Sequence, residues 1–202
     1  RPEKILAGLR LHLAHPVIVL EEETTTIAAL KAWSKALEPA RLVADPSPIS
    51  GLRAIKEREE IIAVREALAL TEEAMAWVAP MVRPGVTERE LAANLELYCR
   101  TKGASGPSFD LIVASGPNSA RPHGVAGSRR VQANEPVLFD IGFFVDGYAS
   151  DFTRVVYCGS RPPATLLALH ARVLEAQNRG KAAIRAGSPA ARPDQIVREW
   201  FR

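Results

Sequence analysis

The stretch Leu138-Phe139-Asp140-Ile141-Gly142-Phe143-Phe144-Val145-Asp146-Gly147-Tyr148-Ala149-Ser150-Asp151-Phe152-Thr153-Arg154 decides how this chain folds. Two β-rich runs, Val137 to Val145 and Tyr148 to Tyr157, flank Asp146-Gly147. Asp-Gly between such runs marks a two-residue hairpin turn, whose central residues need positive φ. Closing the hairpin there pairs Asp140 with Thr153 and Gly142 with Asp151. Asp140 and Asp151 become diagonal neighbours on one face, with Cβ atoms about 7–8 Å apart or less. A bulge in either strand would shift this register and could flip one carboxylate. Two carboxylates on one face of an apolar hairpin repel each other and resist burial, so something positive should sit between them. A pair of divalent cations meets that need, because carboxylates bridge metals about 3.5–4 Å apart. The simpler alternative has both aspartates facing solvent, or Asp151 paired with Arg154. Spacing alone leaves both readings open.

Working outward, Phe109 to Ala114 reads as another strand and Ser115 to Ser119 as a loop. His123 follows in Arg121-Pro122-His123-Gly124, a Gly- and Pro-rich loop where a plain surface role is as open as a functional one. Before these strands, Lys56 to Ala79 reads as a long helix with Ile61, Val64, Leu68, Met75 and Val78 on one stripe. Pro80 ends it. Thr87 and Glu90 have capping-box spacing and start a helix to about Thr101, closed by Gly103. Helix returns from Ala164 to Ala186.

Arg83 and Gly85, in the turn after the long helix, recur as Arg185 and Gly187, an offset of 102 residues in each case. A helix near Pro193-Asp194 then carries Ile196, Val197 and Trp200. A weak internal duplication is a fair reading. On that reading the second copy reaches Arg202 inside its second helix. The chain is then expected to hold one and a half repeats of a longer protein.

The first 50 residues differ in texture. Residues 4–13 read as a helix end, Val17 to Leu20 as a short buried strand, Thr26 to Leu37 as a helix and Leu42-Val43 as a strand. Asp45-Pro46-Ser47-Pro48 punctuates the chain, and a linker-like segment follows. An α/β piece of this size buries little core alone. The domains are therefore expected as 1–50, the C-terminal part of an N-terminal α/β domain, and 51–202, an α+β domain.

Of 202 residues, 47% are apolar and 24% charged, values typical of globular proteins. No apolar run approaches the roughly 20 residues that span a bilayer. The basic excess is only +3, and the basic residues are spread along the chain. Nucleic-acid binding is therefore not expected. Cys99 and Cys158 form no disulfide framework, which fits a reducing, cytoplasmic compartment. His12, His15 and His170 have no polar companions and are assigned no role.

Three stretches together resemble the pita-bread metallopeptidases, and their proline-specific branch in particular. They are Ser105-Gly106-Pro107-Ser108-Phe109 leading into Ile112 to Asn118, Pro122-His123-Gly124, and the hairpin with its two aspartates eleven residues apart. The resemblance covers about Gly51 to Arg202, and the piece before it is similar to the end of that branch's N-terminal domain.

It implies two similar α–β halves, of which this chain holds the first and the start of the second. The implied site has five ligands for two divalent cations: two aspartates, one histidine and two glutamates. Asp140 and Asp151 match the aspartates, the second bridging both metals. His123 matches an active-site histidine that hydrogen-bonds substrate, and Phe109 falls where the pocket for the substrate's first residue is lined.

The implied reaction is hydrolysis of Xaa-Pro bonds, in dipeptides or at peptide N-termini, by a water between the metals with a glutamate as general base. Oxygen-rich ligation suits Mn²⁺, with Co²⁺, Fe²⁺ or Zn²⁺ also fitting. A homodimer is implied as well. The ligand histidine and both glutamates belong to the second half and do not appear before Arg202. The alternative is a non-catalytic pita-bread module that binds peptides or proteins.

Overall fold

The structure is a computed structural model that describes residues 17–45 and 49–202. The helix end read over 4–13, with His12 and His15, lies outside them. Two compact units are present, Arg1–Ile61 and Ile62–Arg202.

In the first unit, β1 (Val17–Glu21) pairs in parallel with β2 (Arg41–Asp45), Val17 opposite Arg41. Parallel neighbours need a crossover, and α1 (Ile27–Ala36) supplies it. Thr26 starts α1 by accepting the Ala29 amide at 3.1 Å. The strand expected to be buried is not. Val17 and Val19 are exposed while Ile18 and Leu20 are half-buried, the alternation of a sheet with one covered face. A short helix, α2 (Ser50–Ala54), stands where a linker was expected.

The chain then enters α3 (Arg58–Val78). Its buried stripe is Ala63, Ala67, Thr71, Ala74, Met75 and Val78. Ile61, expected on that stripe, is exposed, and Val64 and Leu68 are only half-buried. The covered face is thus rotated by about one residue and carries mostly small side chains, which let the helix approach its neighbours closely. Helix α4 (Glu88–Thr101) begins with the expected capping box. The Glu90 amide donates to Thr87 Oγ1 at 3.1 Å, and the Thr87 amide donates to Glu90 Oε2 at 2.7 Å.

Strands β3 (Gly106–Pro107), β4 (Ile112–Ser115), β5 (Glu135–Ile141), β6 (Phe143–Val145), β7 (Tyr148–Ala149) and β8 (Phe152–Cys158) follow. They form two antiparallel sheets, β4-β5-β8 and β3-β6-β7. Asp146 and Gly147 both have positive φ, as the two-residue turn requires. The expected register holds on both sides of a break, with Asp140 opposite Thr153 and Val145 opposite Tyr148, while Gly142 and Asp151, expected to pair, fall in the break itself.

Each long run is split at one point, near Gly142 on one side and Ser150-Asp151 on the other. A Cβ on Gly142 would collide with the Ser150 carbonyl and the Ser108 hydroxyl. Only glycine admits that close approach. The strand expected from Phe109 is shorter than read and starts at Ile112, because the Ser108 amide turns in to donate to the Gly142 carbonyl at 2.9 Å. The core sits where Val137, Phe139 and Ile141 of β5 meet Val78, Leu91, Leu95 and Cys99, all fully buried.

Helices α5 (Ala164–Ala183) and α6 (Arg192–Phe201) close the chain, with α5 ending three residues sooner than its sequence implies. The duplicated turn is visible in the backbone. Val82 and Val86 amides donate to Ala79 and Arg83 carbonyls, and Ile184 and Ser188 amides donate to Lys181 and Arg185 carbonyls. Gly85 and Gly187 both adopt positive φ, at 92° and 80°. The same offset of 102 relates the stacked rings of Trp77 and Tyr98, 4.5 Å apart, to Arg179 lying 3.8 Å over the Trp200 ring.

Candidate active site

An open cavity of about 410 Å³ lies on the face of the β4-β5-β8 sheet turned away from the core, lined by Phe109, Asp110, Ile112, His123, Val125, Asp140 and Asp151. All four residues singled out from the sequence therefore meet at one place. Their convergence follows from period-two geometry. Val137, Phe139 and Ile141 take the buried face of β5, so Asp140 must point the other way. Ile112 stands directly opposite Asp140 on β4, and Thr153 opposite it on β8. The Thr153 hydroxyl donates to Asp140 Oδ1 at 2.8 Å, fixing one carboxylate oxygen.

Asp151 is exposed at the split in the hairpin, immediately after Ser150. Ser150 is buried, and its hydroxyl accepts the Phe143 amide at 2.9 Å and lies 2.7 Å from the hydroxyl of Thr71 on α3. The Ser108 hydroxyl donates to the Ser150 carbonyl at 2.8 Å. One small network thus ties the residue before Phe109 to the residue before Asp151.

His123 reaches the cavity from the loop between β4 and β5, with φ at 59°. Left-handed backbone is uncommon for a residue with a Cβ and calls for support from its surroundings. Sequence reading missed a further feature of this loop. Glu88 is completely buried and accepts four kinds of hydrogen bond. Its Oε1 takes the Ser115 amide at 2.7 Å and the Ser115 hydroxyl at 2.8 Å. The Asn118 side-chain amide donates to both oxygens, at 3.1 and 3.3 Å, and the Gly127 amide donates to Oε2 at 3.2 Å. Burial pushes the Glu88 carboxyl up, but these donors outweigh it and hold its pKa below the ordinary carboxylate range. Beside it, Arg129 pairs with Glu135 and donates to the Ser115 hydroxyl. The one sequence signal was Glu88 occurring in step with Leu91, Leu95 and Cys99 on the buried side of α4.

The donor set fits hard divalent cations in part. Asp140 and Asp151 offer carboxylate oxygens with an imidazole nearby, the chemistry that Mn²⁺ and similar ions accept. Among the described residues, no group of three or more His, Cys, Asp or Glu side chains stands ready to hold a metal ion. No described helix is long and apolar enough to cross a membrane.

Known proteins resemble this chain in sequence and fold. The model of metallopeptidase family M24 matches residues 63–202. A Xaa-Pro dipeptidase of Pyrococcus furiosus is 38% identical over 154 residues, covering 76% of this chain and 44% of its own. An uncharacterized peptidase of Bacillus subtilis is 35% identical over 179 residues, covering 89% of this chain and 50% of its own. The crystal structure of an X-Pro aminopeptidase from Thermotoga maritima matches all of this chain and 56% of its own, with a TM-score of 0.88 and 33% identity. The prolidase structure from Pyrococcus furiosus matches all of this chain with a TM-score of 0.83 and 30% identity. The chain spans about half the length of the curated relatives it matches, and its α+β architecture is about half of a pita-bread fold. On the family match and these likenesses together, the chain belongs to metallopeptidase family M24.

Proposed function

We propose that the protein hydrolyses Xaa-Pro peptide bonds, in dipeptides or at peptide N-termini, as a cytoplasmic, homodimeric, divalent-metal enzyme working best with Mn²⁺. The observation that carries this reading is the meeting of His123, Asp140, Asp151 and Phe109 on one cavity. Asp140 and Asp151 would hold the cations, Asp140 oriented by the Thr153 hydroxyl. When bound, a divalent pair supplies Lewis-acid activation of water and of the scissile carbonyl. His123 donates a hydrogen bond to the substrate beside the scissile bond. Phe109, Ile112 and Val125 offer an apolar wall to the substrate's first residue. The histidine and two glutamates that would complete the donor set come from outside these 202 residues in this reading.

A second reading, a peptide-binding module without catalysis, draws on the finding that no group of three or more metal-ligating side chains stands together among the described residues. Proline release from Xaa-Pro dipeptides, by the protein at its natural length and with its intact mass measured on the same preparation, separates the two. We expect release that requires Mn²⁺, falls to background with Asp140→Asn or Asp151→Asn, and drops about 10²–10³-fold in kcat with His123→Ala, the usual cost of one oxyanion donor. A preparation that binds Mn²⁺ yet leaves Xaa-Pro dipeptides and longer Xaa-Pro peptides intact overturns the enzyme reading.

A further inference from the structure

We propose that Glu88 is a positioning residue for His123: one buried carboxylate ties down both flanks of the loop that carries the histidine to the cavity. The proposal rests on the reading that His123 acts there. A carboxylate with no exposed surface is costly unless its oxygens are fully satisfied. Any donors would meet that need, including a cation. Instead, every donor to Glu88 comes from one stretch of chain, at its start (Ser115), in its first turn (Asn118) and at its end (Gly127).

From there a chain of backbone bonds runs to the histidine. Asn118 gives its side chain to Glu88, and its carbonyl accepts the Arg121 amide at 2.9 Å. The Arg121 carbonyl in turn accepts the Gly124 amide at 3.3 Å, next to His123. On the far flank, Gly127 donates to Glu88 Oε2 while its carbonyl accepts the Arg89 amide at 3.0 Å. His123 therefore keeps its left-handed backbone between two anchored ends. Glu88 does not line the cavity, and neither do its hydrogen-bond partners Ser115, Asn118 and Gly127, so it acts on the site through the segments they anchor.

Glu88→Gln tests the idea with little change in volume. The glutamine oxygen can still take Ser115, but its NH₂ faces the Gly127 amide, donor against donor. Hydrogen exchange and histidine NMR are read on the natural-length protein, with His123→Gln identifying the His123 signal. We expect amides in 116–127 to exchange at least about tenfold faster, as opening becomes local rather than global. The His123 imidazole signal should shift or broaden while that of His170 stays in place. In the peptide assay, kcat should fall about 10–100-fold, the usual effect of a residue supporting an active ligand, with Mn²⁺ affinity and KM nearly unchanged.

Unchanged exchange and an unmoved His123 signal in folded Glu88→Gln overturn the proposal. So does exchange that rises equally through β4, β5 and β8, the mark of a purely structural core residue. If Glu88→Gln does not fold, Asn118→Ala removes the middle tie alone, and an unmoved His123 signal there is equally fatal. A wild-type protein that cleaves no Xaa-Pro peptide would defeat the proposed activity, while the exchange and imidazole results would still decide the role of Glu88.

Discussion

The helical hairpin α3–α4 and the helical hairpin α5–α6 share the backbone geometry of their turn but differ in what their apolar sides touch. Both turns use a glycine at positive φ and the same pair of backbone hydrogen bonds, 102 residues apart. Ala74 and its counterpart Ala176 are both buried. Leu95 is fully buried with Val78 in the main cluster, while the counterparts Val197 and Gly180 lie outside it and face each other, Val197 lying 3.0 Å from where a Cβ on Gly180 would stand. The first hairpin packs on Phe139, Ile141 and Phe143, which come from both sheets. In the second, Leu167, Leu169, Val173, Leu174 and Phe201 remain about half exposed and Ile184 more so. Local rules of turn and spacing therefore reproduce a backbone twice. Burial comes from a sheet, and a sheet is not local.

The sharpest way to break the comparison uses thiols. Cys99 is fully buried, and burial pushes its thiol up to about 12. Its counterpart is Phe201, which is 46% exposed. On these 202 residues alone, Phe201→Cys should be alkylated at pH 8 at least about a thousandfold faster than Cys99, because thiolate fraction and access both favour it. Intact mass should show one label on the native variant, with Cys99 and Cys158 reacting only on unfolding. A protected cysteine at 201 would mean that this face is covered in solution, and the contrast between the hairpins would fail.

Truncation of side chains gives the next largest difference. Leu95→Ala empties a fully packed position and should cost about 2–5 kcal/mol, whereas Val197→Ala on the half-buried hairpin should cost about 1 kcal/mol or less. Urea midpoints at unchanged m-value measure both. Equal costs would show the second hairpin to be as tightly held as the first.

What could be read in the sequence follows the same division between local and non-local. The Asp146-Gly147 turn and the capping box at Thr87 are set by residues within a few positions of one another, the turn then fixes the pairing of Asp140 with Thr153, and each stands as expected. The turn repeat was legible for the same reason. The buried stripe of α3 was not, because Ala63, Ala67 and Thr71 are covered through close packing rather than their own hydrophobicity. The split at Gly142 was equally hidden, since it depends on Ser150 and Ser108 arriving from other segments. At the cavity, His123, Asp140, Asp151 and Phe109 announced themselves by chemistry and motif. Glu88 did not, because its importance lies in partners 27 to 39 positions away.

The smallest predicted difference concerns how the two second helices begin. Thr87 is a true N-cap, with extended backbone at ψ 153° and its hydroxyl accepting the Glu90 amide. The residue before α6, Ala191, has helical backbone at ψ −15° and caps nothing. Thr87→Ala should therefore cost about 1 kcal/mol, the usual value of a lost cap. Ala191→Ser should gain no more than a few tenths, because a hydroxyl on helical backbone is not placed to accept from the third amide of the helix. Thermal midpoints of the two variants against wild type measure the pair. If Ala191→Ser stabilised as much as Thr87→Ala destabilised, the start of α6 would have to move into the extended geometry of Thr87. The second hairpin would then be an adjustable copy of the first, held in its present form by nothing stronger than the absence of a capping side chain.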